Sequence, residues 1–241
     1  MDEIANTLHT HTHTHGYKLL NEDCQTILPN ILSSIKNPII VTDPPFNIGY
    51  HYNFYKDNLN EEEYLEGLCD LLQYTPCVVI HYPETLYKIS FQLGKFPEKI
   101  ISWIYNSNTA KQHRDIAFFG VIPNMKQVRQ PYKNPTDKRI KERIARGEKG
   151  AKLYDWWEIN QVKNVSKEKT KHPCQMPLEV MKRIVGILPD DCTIIDTFMG
   201  SGTTGVAVKE MNREQNTSRN FIGIEIDEEY YNIAKARIEG I

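Results

Sequence analysis

The chain has 241 residues, 40% hydrophobic and 25% charged, enough apolar material for one sizeable domain with a small insertion. No run of about 18 apolar residues and no signal-peptide pattern occurs, which argues against a membrane span and a secretory route. The formal net charge of −2 does not announce a polyanion binder, and five cysteines without close pairing fit a reducing, cytoplasmic setting better than a disulfide framework.

Residues 1–16 place His9, His11, His13 and His15 in alternation with threonines. On an extended chain the four imidazoles would share one side and could hold a metal, but a flexible leader is the simpler reading, and the domain is taken from Tyr17 on. From there strand and helix alternate: strand Tyr17–Leu20, helix Gln25–Ile35, strand Pro38–Thr42. The last delivers Asp43-Pro44-Pro45-Phe46. Each proline fixes φ and removes a backbone N–H, so the turn is stiff and rich in unpaired carbonyl acceptors. With the Phe46 ring beside them, these acceptors suit a planar group bearing an exocyclic NH2, which donates two N–H bonds while its face stacks. Read alone, the same residues are equally a plain turn with a solvated Asp and a core Phe.

An aromatic loop follows (Tyr50, Tyr52, Phe54, Tyr55), then a helix from about Asn60 to Gln73. Asn60 stands as its N-cap, and Glu61, Glu62 and Glu63 fill a first turn that suits the helix dipole. Cys77–His81 reads as strand and Thr85–Leu93 as helix. Lys99–Tyr105 and Ile116–Ile122 are apolar runs with no helix between them; parallel neighbours need a long crossover, so the second is expected antiparallel. The stretch 124–152 differs in character. Ten basic residues, among them Lys126, Arg129, Lys133, Lys138, Arg139, Arg143 and Arg146, stand there against three acidic ones. It is either a solvated insertion or a phosphate-facing segment.

Residues 177–241 resume the alternation: helix Leu178–Leu188, strand Thr193–Ile195, helix Thr203–Asn212, strand Phe221–Ile226, helix Glu228–Ile238. Seven strands with intervening helices make the class α/β with a mostly parallel sheet. Asp196-Thr197-Phe198-Met199-Gly200-Ser201-Gly202-Thr203-Thr204-Gly205 follows a strand and opens a helix, and its glycines let the backbone turn tightly against a ligand. Glu225 ends the next strand, 25 residues after Gly200, where it could accept from both ribose hydroxyls of an adenosine-containing cofactor. Gly200 to Gly205 also satisfies the dinucleotide pattern G-x-G-x-x-G. A dinucleotide fold, however, starts with its glycine loop and adds a second mononucleotide half, whereas 36 residues follow Gly205 here. An NAD enzyme also gives Asp43-Pro44-Pro45-Phe46 no role.

Together, D-P-P-[FY] and D-x-F-x-G-x-G-T-T resemble the S-adenosylmethionine-dependent amino-methyltransferases of DNA, and more narrowly the permuted β class, whose catalytic loop precedes the glycine loop. Lys171 to Leu178 resembles the family's H-P-x-Q-K-P-L segment, with Met176 where Lys is common. Thr197 stands for the commoner Pro and Phe46 for the commoner Tyr. Phe221 to Glu225 resembles the ribose-binding strand, Leu20 to Cys24 the opening L-x-G-D-C with Glu22 in place of Gly, and Tyr154 to Ile159 a segment past the recognition region. The likeness covers about 17–241. Pro173-Cys174-Gln175 also reads as the P-C-Q of cytosine C5-methyltransferases, but it precedes a helix instead of following a strand, so Cys174 is not expected to be a nucleophile.

The resemblance implies a Rossmann-like, seven-stranded sheet with one antiparallel strand, the Asp196 strand lying beside the Asp43 strand. It implies that Asp196, Phe198, Gly200, Ser201, Gly202, Thr203 and Thr204 hold S-adenosylmethionine. Glu225 would bind its ribose and Asp23 with Cys24 its adenine end, while His172 and Gln175 would lie against its methionine end or the loop that holds it. Asp43 and the Pro44 carbonyl would take the two N–H bonds of the target amino group, in a turn stiffened by Pro45. Phe46 would stack on a base flipped out of double-stranded DNA. No covalent intermediate or metal is needed. The segment 124–152 is the candidate for target recognition. Adenine N6 is the expected acceptor, since cytosine-N4 enzymes more often carry Ser at position 43 and amide-directed enzymes Asn. Cytosine N4, RNA or amide methylation and an NAD oxidoreductase are the alternatives. Homodimers are common in the class, a point on which the sequence itself is silent.

Overall fold

The computed structural model describes residues 11–14 and 16–240. The first half holds β1 (His11–Thr14), β2 (Tyr17–Asn21), α1 (Cys24–Leu32), β3 (Pro38–Thr42), α2 (Glu61–Leu72), β4 (Cys77–His81), α3 (Pro83–Leu93), β5 (Lys99–Ile104) and β6 (His113–Phe119). Then come β7 (Arg129–Gln130), α4 (Lys138–Ala145), β8 (Ala151–Lys152) and β9 (Trp156–Glu158). The chain closes with α5 (Leu178–Gly186), β10 (Thr193–Asp196), α6 (Thr203–Gln215), β11 (Asn220–Glu225) and α7 (Glu228–Glu239). Helix starts follow their caps. Asn60 accepts from Glu62 N at 2.9 Å ahead of three glutamates, and Asp227 accepts from Glu229 N at 2.8 Å to start α7.

The main sheet runs β1-β2-β11-β10-β3-β4-β6-β5-β9, and β7 with β8 forms a separate two-stranded ribbon. Its seven central strands are those expected, all parallel except β6, which is antiparallel to both β4 and β5. β9 adds a parallel strand beyond β5, and β1 an antiparallel one beyond β2. Four residues of the His/Thr segment therefore belong to the sheet, although the sequence reading kept them outside the fold. The free edge of β2 offers unpaired N–H and C=O groups, which an extended segment can satisfy whatever its side chains. Residues 1–10 and 15, including His9 and His15, lie outside the described residues.

Strand alternation splits the core between two helical layers. Ile39, Val41, Val78, Ile80 and Ile194 pack with α5, α6 and α7, while Ile40, Val79, Ile195 and Ile224 pack with α1, α2 and α3. A parallel sheet needs this double cover.

One boundary matters for function. The sequence places a strand over Ile116–Ile122, but β6 runs from His113 to Phe119 and stops where Gly120 turns the chain at φ 65°. His113, Arg114 and Asp115 are held extended by pairing with Ile104, Trp103 and Ser102 of β5. That cause lies across the ladder and leaves no apolar run in the strand's own sequence. The basic segment is rooted in the core, with Asn124 N bonded to Ile187 O (2.8 Å), Leu153 N to Met125 O (3.1 Å), and Met125 and Val128 packed on the core. Its helix α4 buries none of its residues.

Candidate active site

β3 and β10 lie side by side in parallel, and the strand order departs in opposite directions from this pair. The loops leaving their C-terminal ends thus open at a switch point, the usual ligand crevice of an open α/β sheet. A buried hydrogen bond of 2.9 Å between the Thr42 and Thr197 hydroxyls ties the roots of the two loops. Between them lies a cavity of about 510 Å³, lined by both loops, by Glu225 and by the aromatic loop after β3.

On the acceptor side, burial raises the Asp43 carboxyl against the pull of the Arg114 guanidinium, 3.7 Å from Oδ1, and the balance leaves it at about 6. Oδ1 is buried without a hydrogen-bond partner, so an unsatisfied acceptor stands behind the cavity wall that Asp43 helps to form. The Phe46 ring lies 4.4 Å from that of His81 and meets Tyr82 edge-on at 5.0 Å. The turn is braced from behind. The Tyr64 hydroxyl donates to Pro45 O at 2.7 Å and meets His81 Nε2 at 2.8 Å, while His81 Nδ1 accepts from Tyr82 N at 2.8 Å. Because Nδ1 accepts, Nε2 carries the proton and donates to Tyr64, so the relay runs from His81 through Tyr64 to the Pro45 carbonyl. Burial, with Arg114 and Lys111 nearby, lowers His81 to about 3 and keeps the ring neutral. The Pro44 carbonyl accepts no hydrogen bond from the described residues.

On the opposite side, Gly200 and Gly202 adopt φ of 51° and 76°, the left-handed region that favours glycine. A Cβ on Gly200 would stand 2.9 Å from His172 Nε2. Glu225 accepts from Gly200 N at 2.7 Å on Oε2 and from Asp227 N at 3.0 Å on Oε1, so it also fixes the loop. Burial raises its pKa in spite of those bonds, and each oxygen keeps a lone pair for a ligand hydroxyl. Asp196 acts beneath the loop. It accepts from Phe198 N at 3.2 Å and from the Thr204 hydroxyl, and burial pushes it up to about 7. Arg237 of α7 donates to Ser201 O, Ser201 Oγ and Thr203 Oγ1 at 2.6, 3.0 and 3.1 Å.

Phe198, Gly200, Ser201, Thr203 and Thr204 line the cavity, while Gly202 turns the chain into α6 behind it. Asp23, which caps α1 through Gln25 N at 2.9 Å, and Cys24 reach the cavity as well. Burial pushes the Cys24 thiol up to about 12, so it serves as apolar wall. His172 lines the cavity too, with its buried Nδ1 unpartnered and its ring edge-on to Tyr230 at 4.4 Å. Gln175 does not. Its Oε1 accepts from Thr170 N and Oγ1 at 2.8 and 2.9 Å and its Nε2 donates to Glu168 O at 2.7 Å, knotting the turn before α5. A backbone cradle that excludes Cβ atoms, a strand-end carboxylate and an unpartnered imidazole nitrogen fit a nucleoside cofactor with a polar arm.

The aromatic loop rims the cavity. Buried Asp57 accepts from Asn47 N, Ile48 N and Tyr50 N at 2.8, 3.1 and 2.8 Å, and Asn53 Nδ2 crosses to Asp227 at 2.9 Å. Cys174 stands on this rim, hydrogen-bonded to Tyr52, with its thiol held above its ordinary value, the opposite of what a thiolate nucleophile needs. Asp57, Tyr64, His81, Arg114, Asp227 and Arg237 were not singled out from the sequence. Asp227, before two glutamates, carried a helix-start signal. The others are joined to the site only by pairing and packing.

None of the seven basic residues named from 124–152 lines the cavity. Lys126, Arg129, Lys138 and Arg139 are exposed; Lys133 Nζ lies 4.0 Å over the Trp156 ring, and Arg143 and Arg146 share Glu148 at 2.7 and 3.4 Å.

A family model described as DNA methylase matches residues 38–236. The Type II methyltransferase M.HpaI of Haemophilus parainfluenzae is 30% identical over 247 residues, covering 90% of this chain and 74% of its own. The DNA adenine methyltransferase YhdJ of Escherichia coli K12 is 25% identical over 233 residues, covering 83% of this chain and 76% of its own. The crystal structure of the M1.HpyAVI–SAM complex superposes with a TM-score of 0.56 at 25% identity, over 92% of this chain and 99% of that one.

Proposed function

The chain belongs to the DNA methylase family, with S-adenosylmethionine as methyl donor, and from that premise we propose that it methylates the exocyclic amino group of a base flipped out of duplex DNA, adenine N6 in particular. The observation that carries this reading is the buried Asp43 Oδ1, without a hydrogen-bond partner, beside the Phe46 ring at the cavity, joined through Thr42 and Thr197 to the root of the glycine loop. Gly200, Ser201, Thr203 and Thr204 would hold the cofactor, with Glu225 at its ribose and His172 and Asp23 towards its ends. When bound, S-adenosylmethionine supplies an electrophilic methyl group on a sulfonium sulfur.

The chain's own residues supply the rest. An exocyclic amino nitrogen is a poor nucleophile because its lone pair is delocalised into the ring. N–H bonds to the Asp43 carboxylate and the Pro44 carbonyl draw it towards tetrahedral geometry and free that pair for an in-line displacement. Asp43 then offsets positive charge building on nitrogen, as fixed negative charge in a partly dry site does most effectively. It also takes the surplus proton, which a carboxyl held near 6 can accept. The Tyr64–His81 relay holds the turn so that both acceptors converge.

Two features favour adenine: the acid at position 43 and the name of the adenine-directed relative. Residues 17–241 form one methyltransferase domain in this reading. The exposed basic face of 124–152 is its inserted recognition segment, contacting phosphates through Lys126, Arg129, Lys138 and Arg139. Mass spectrometry of hydrolysed DNA from cells expressing the protein should show N6-methyladenine. N4-methylcytosine in its place would leave the mechanism standing and remove Asp43 as a reporter of the base.

A further inference from the structure

Among the described residues, Arg114 is the cation that contacts both Asp43 and Phe46. It stands near the start of β6 opposite Trp103. Its guanidinium carbon lies 4.4 Å over the Phe46 ring, 5.4 Å from the Trp103 ring and 5.8 Å from the Tyr105 ring. Nη1 is 3.7 Å from Asp43 Oδ1 and 3.9 Å from Met176 Sδ. The first distance is too long for a hydrogen bond. Arg114 Nε and Asp43 Oδ1 are both buried without a hydrogen-bond partner. Apart from a long hydrogen bond from Nη1 to Met176 Sδ and one with the Tyr105 hydroxyl, the guanidinium is held by ring faces and by charge, with no hydrogen bond to the carboxylate it faces.

These contacts have a specific form. A planar, N–H-bearing group lies on the Phe46 ring and points at the Asp43 carboxylate. Those are the two contacts the reading above assigns to the target base, and the present inference rests on that reading. Phe46 already has the His81 and Tyr82 rings against it, and the guanidinium takes a further ring contact of the kind a stacked base would make. We propose that Arg114 is a placeholder for the flipped base: its guanidinium occupies the acceptor position in the resting enzyme and leaves as the base enters.

Electrostatics gives the reason for departure. During methyl transfer the amino nitrogen gains positive charge beside Asp43, and a second cation at that carboxylate would oppose it. Exchange gives the partly buried acid the N–H donors of the base in place of the guanidinium, and a single cation then develops beside it, so the acid is never left without a partner. The other ionisable groups that feel Asp43 are Asp196 on β10, Tyr52 and Cys174 on the rim, Tyr64 on α2 and Tyr105 after β5. None of these is a cation.

The two pH profiles of the steady state separate the possibilities, because kcat/KM reports groups in the free enzyme and kcat groups in the complex. Methylation of plasmid DNA is measured from pH 5 to 9 for the wild type, Arg114→Met and Arg114→Lys, with cofactor calorimetry as the test of folding. In Arg114→Met the acid limb of kcat/KM should move up by about 1 pH unit, the effect of losing one close opposite charge. The acid limb of kcat should coincide with that of the wild type, since the arginine has left by then. Arg114→Lys, which keeps a charge there, should hold the kcat/KM limb near the wild-type position. If both limbs move in Arg114→Met, the arginine stays through methyl transfer and the placeholder is refuted. If neither moves, Arg114 only packs, and the proposal falls as well. Should Arg114→Met fail to bind cofactor, Arg114→Gln answers the same question with a neutral planar group. A wild type that leaves no methyl group on DNA amino nitrogens would overturn the acceptor reading itself, and this inference with it.

Discussion

Replacing Glu225 with Ala removes a carboxylate that the structure gives two jobs. Its oxygens accept from Gly200 N at 2.7 Å and Asp227 N at 3.0 Å, and the same oxygens face the cavity where the ribose would lie. A hydrogen bond to a charged group is worth about 1.5–3 kcal/mol, so the two backbone bonds are worth about 3–6 kcal/mol gross. Burial nevertheless raises the Glu225 pKa, which means that keeping this charge in place opposes part of that gain. A net loss of about 2 kcal/mol follows, or about 4–8 °C in Tm for a chain of this length. Cofactor binding should weaken by a further 1–3 kcal/mol, about 5- to 150-fold in Kd, for the lost ribose bonds. Thermal denaturation without ligand reads the first loss and titration calorimetry with S-adenosylmethionine the second. Glu225→Gln, which keeps the shape and one acceptor oxygen, should fall between wild type and Ala in both. A lower Tm with cofactor affinity within twofold of wild type would show that Glu225 braces the glycine loop and does not touch the ribose.

Asp43→Ala should abolish methyl transfer while the protein still folds and binds cofactor; activity within about tenfold of wild type, measured with radiolabelled methyl donor, would refute the role given to its charge. The active form of Asp43 is the carboxylate, and its value of about 6 lies above the ordinary range. Wild-type methylation should therefore be half-maximal near pH 6, nearly full from about one unit above it, and fall about tenfold per unit well below it, and a limb near pH 4 would mean that burial does not govern the group. Arg143 is committed to Glu148, so charge reversal in the basic segment is better made at exposed Lys138 and Arg139. The Lys138→Glu, Arg139→Glu double variant should weaken DNA binding and reduce the log–log salt slope by about 0.9 per lost phosphate contact, whereas an unchanged slope would leave 124–152 a solvated insertion.

The sequence by itself determined whatever depends on neighbours along the chain. Strand-loop-helix punctuation placed Asp43-Pro44-Pro45-Phe46 and Gly200–Gly205 at strand ends, Asn60 announced a helix start, and the missing crossover before Ile116 announced the antiparallel strand. Each is a local consequence of φ restriction, capping or connection length. Tertiary structure decided what depends on partners far away in sequence. Thr197, where the related pattern has Pro, is matched by Thr42 across two parallel strands. Gln175 keeps its position in a familiar motif but spends its amide on Thr170 and Glu168. His11–Thr14 joins the sheet because β2 has a free edge, a property of β2 and not of the histidines. His113 to Asp115 are extended only because β5 pairs with them, and that pairing carries Arg114 to within 3.7 Å of Asp43, 71 positions earlier. Local rules fix where chain direction and stiffness change. Which side chains then meet, and how far burial moves their protons, is set by the sum of long-range contacts, which no window along the chain contains.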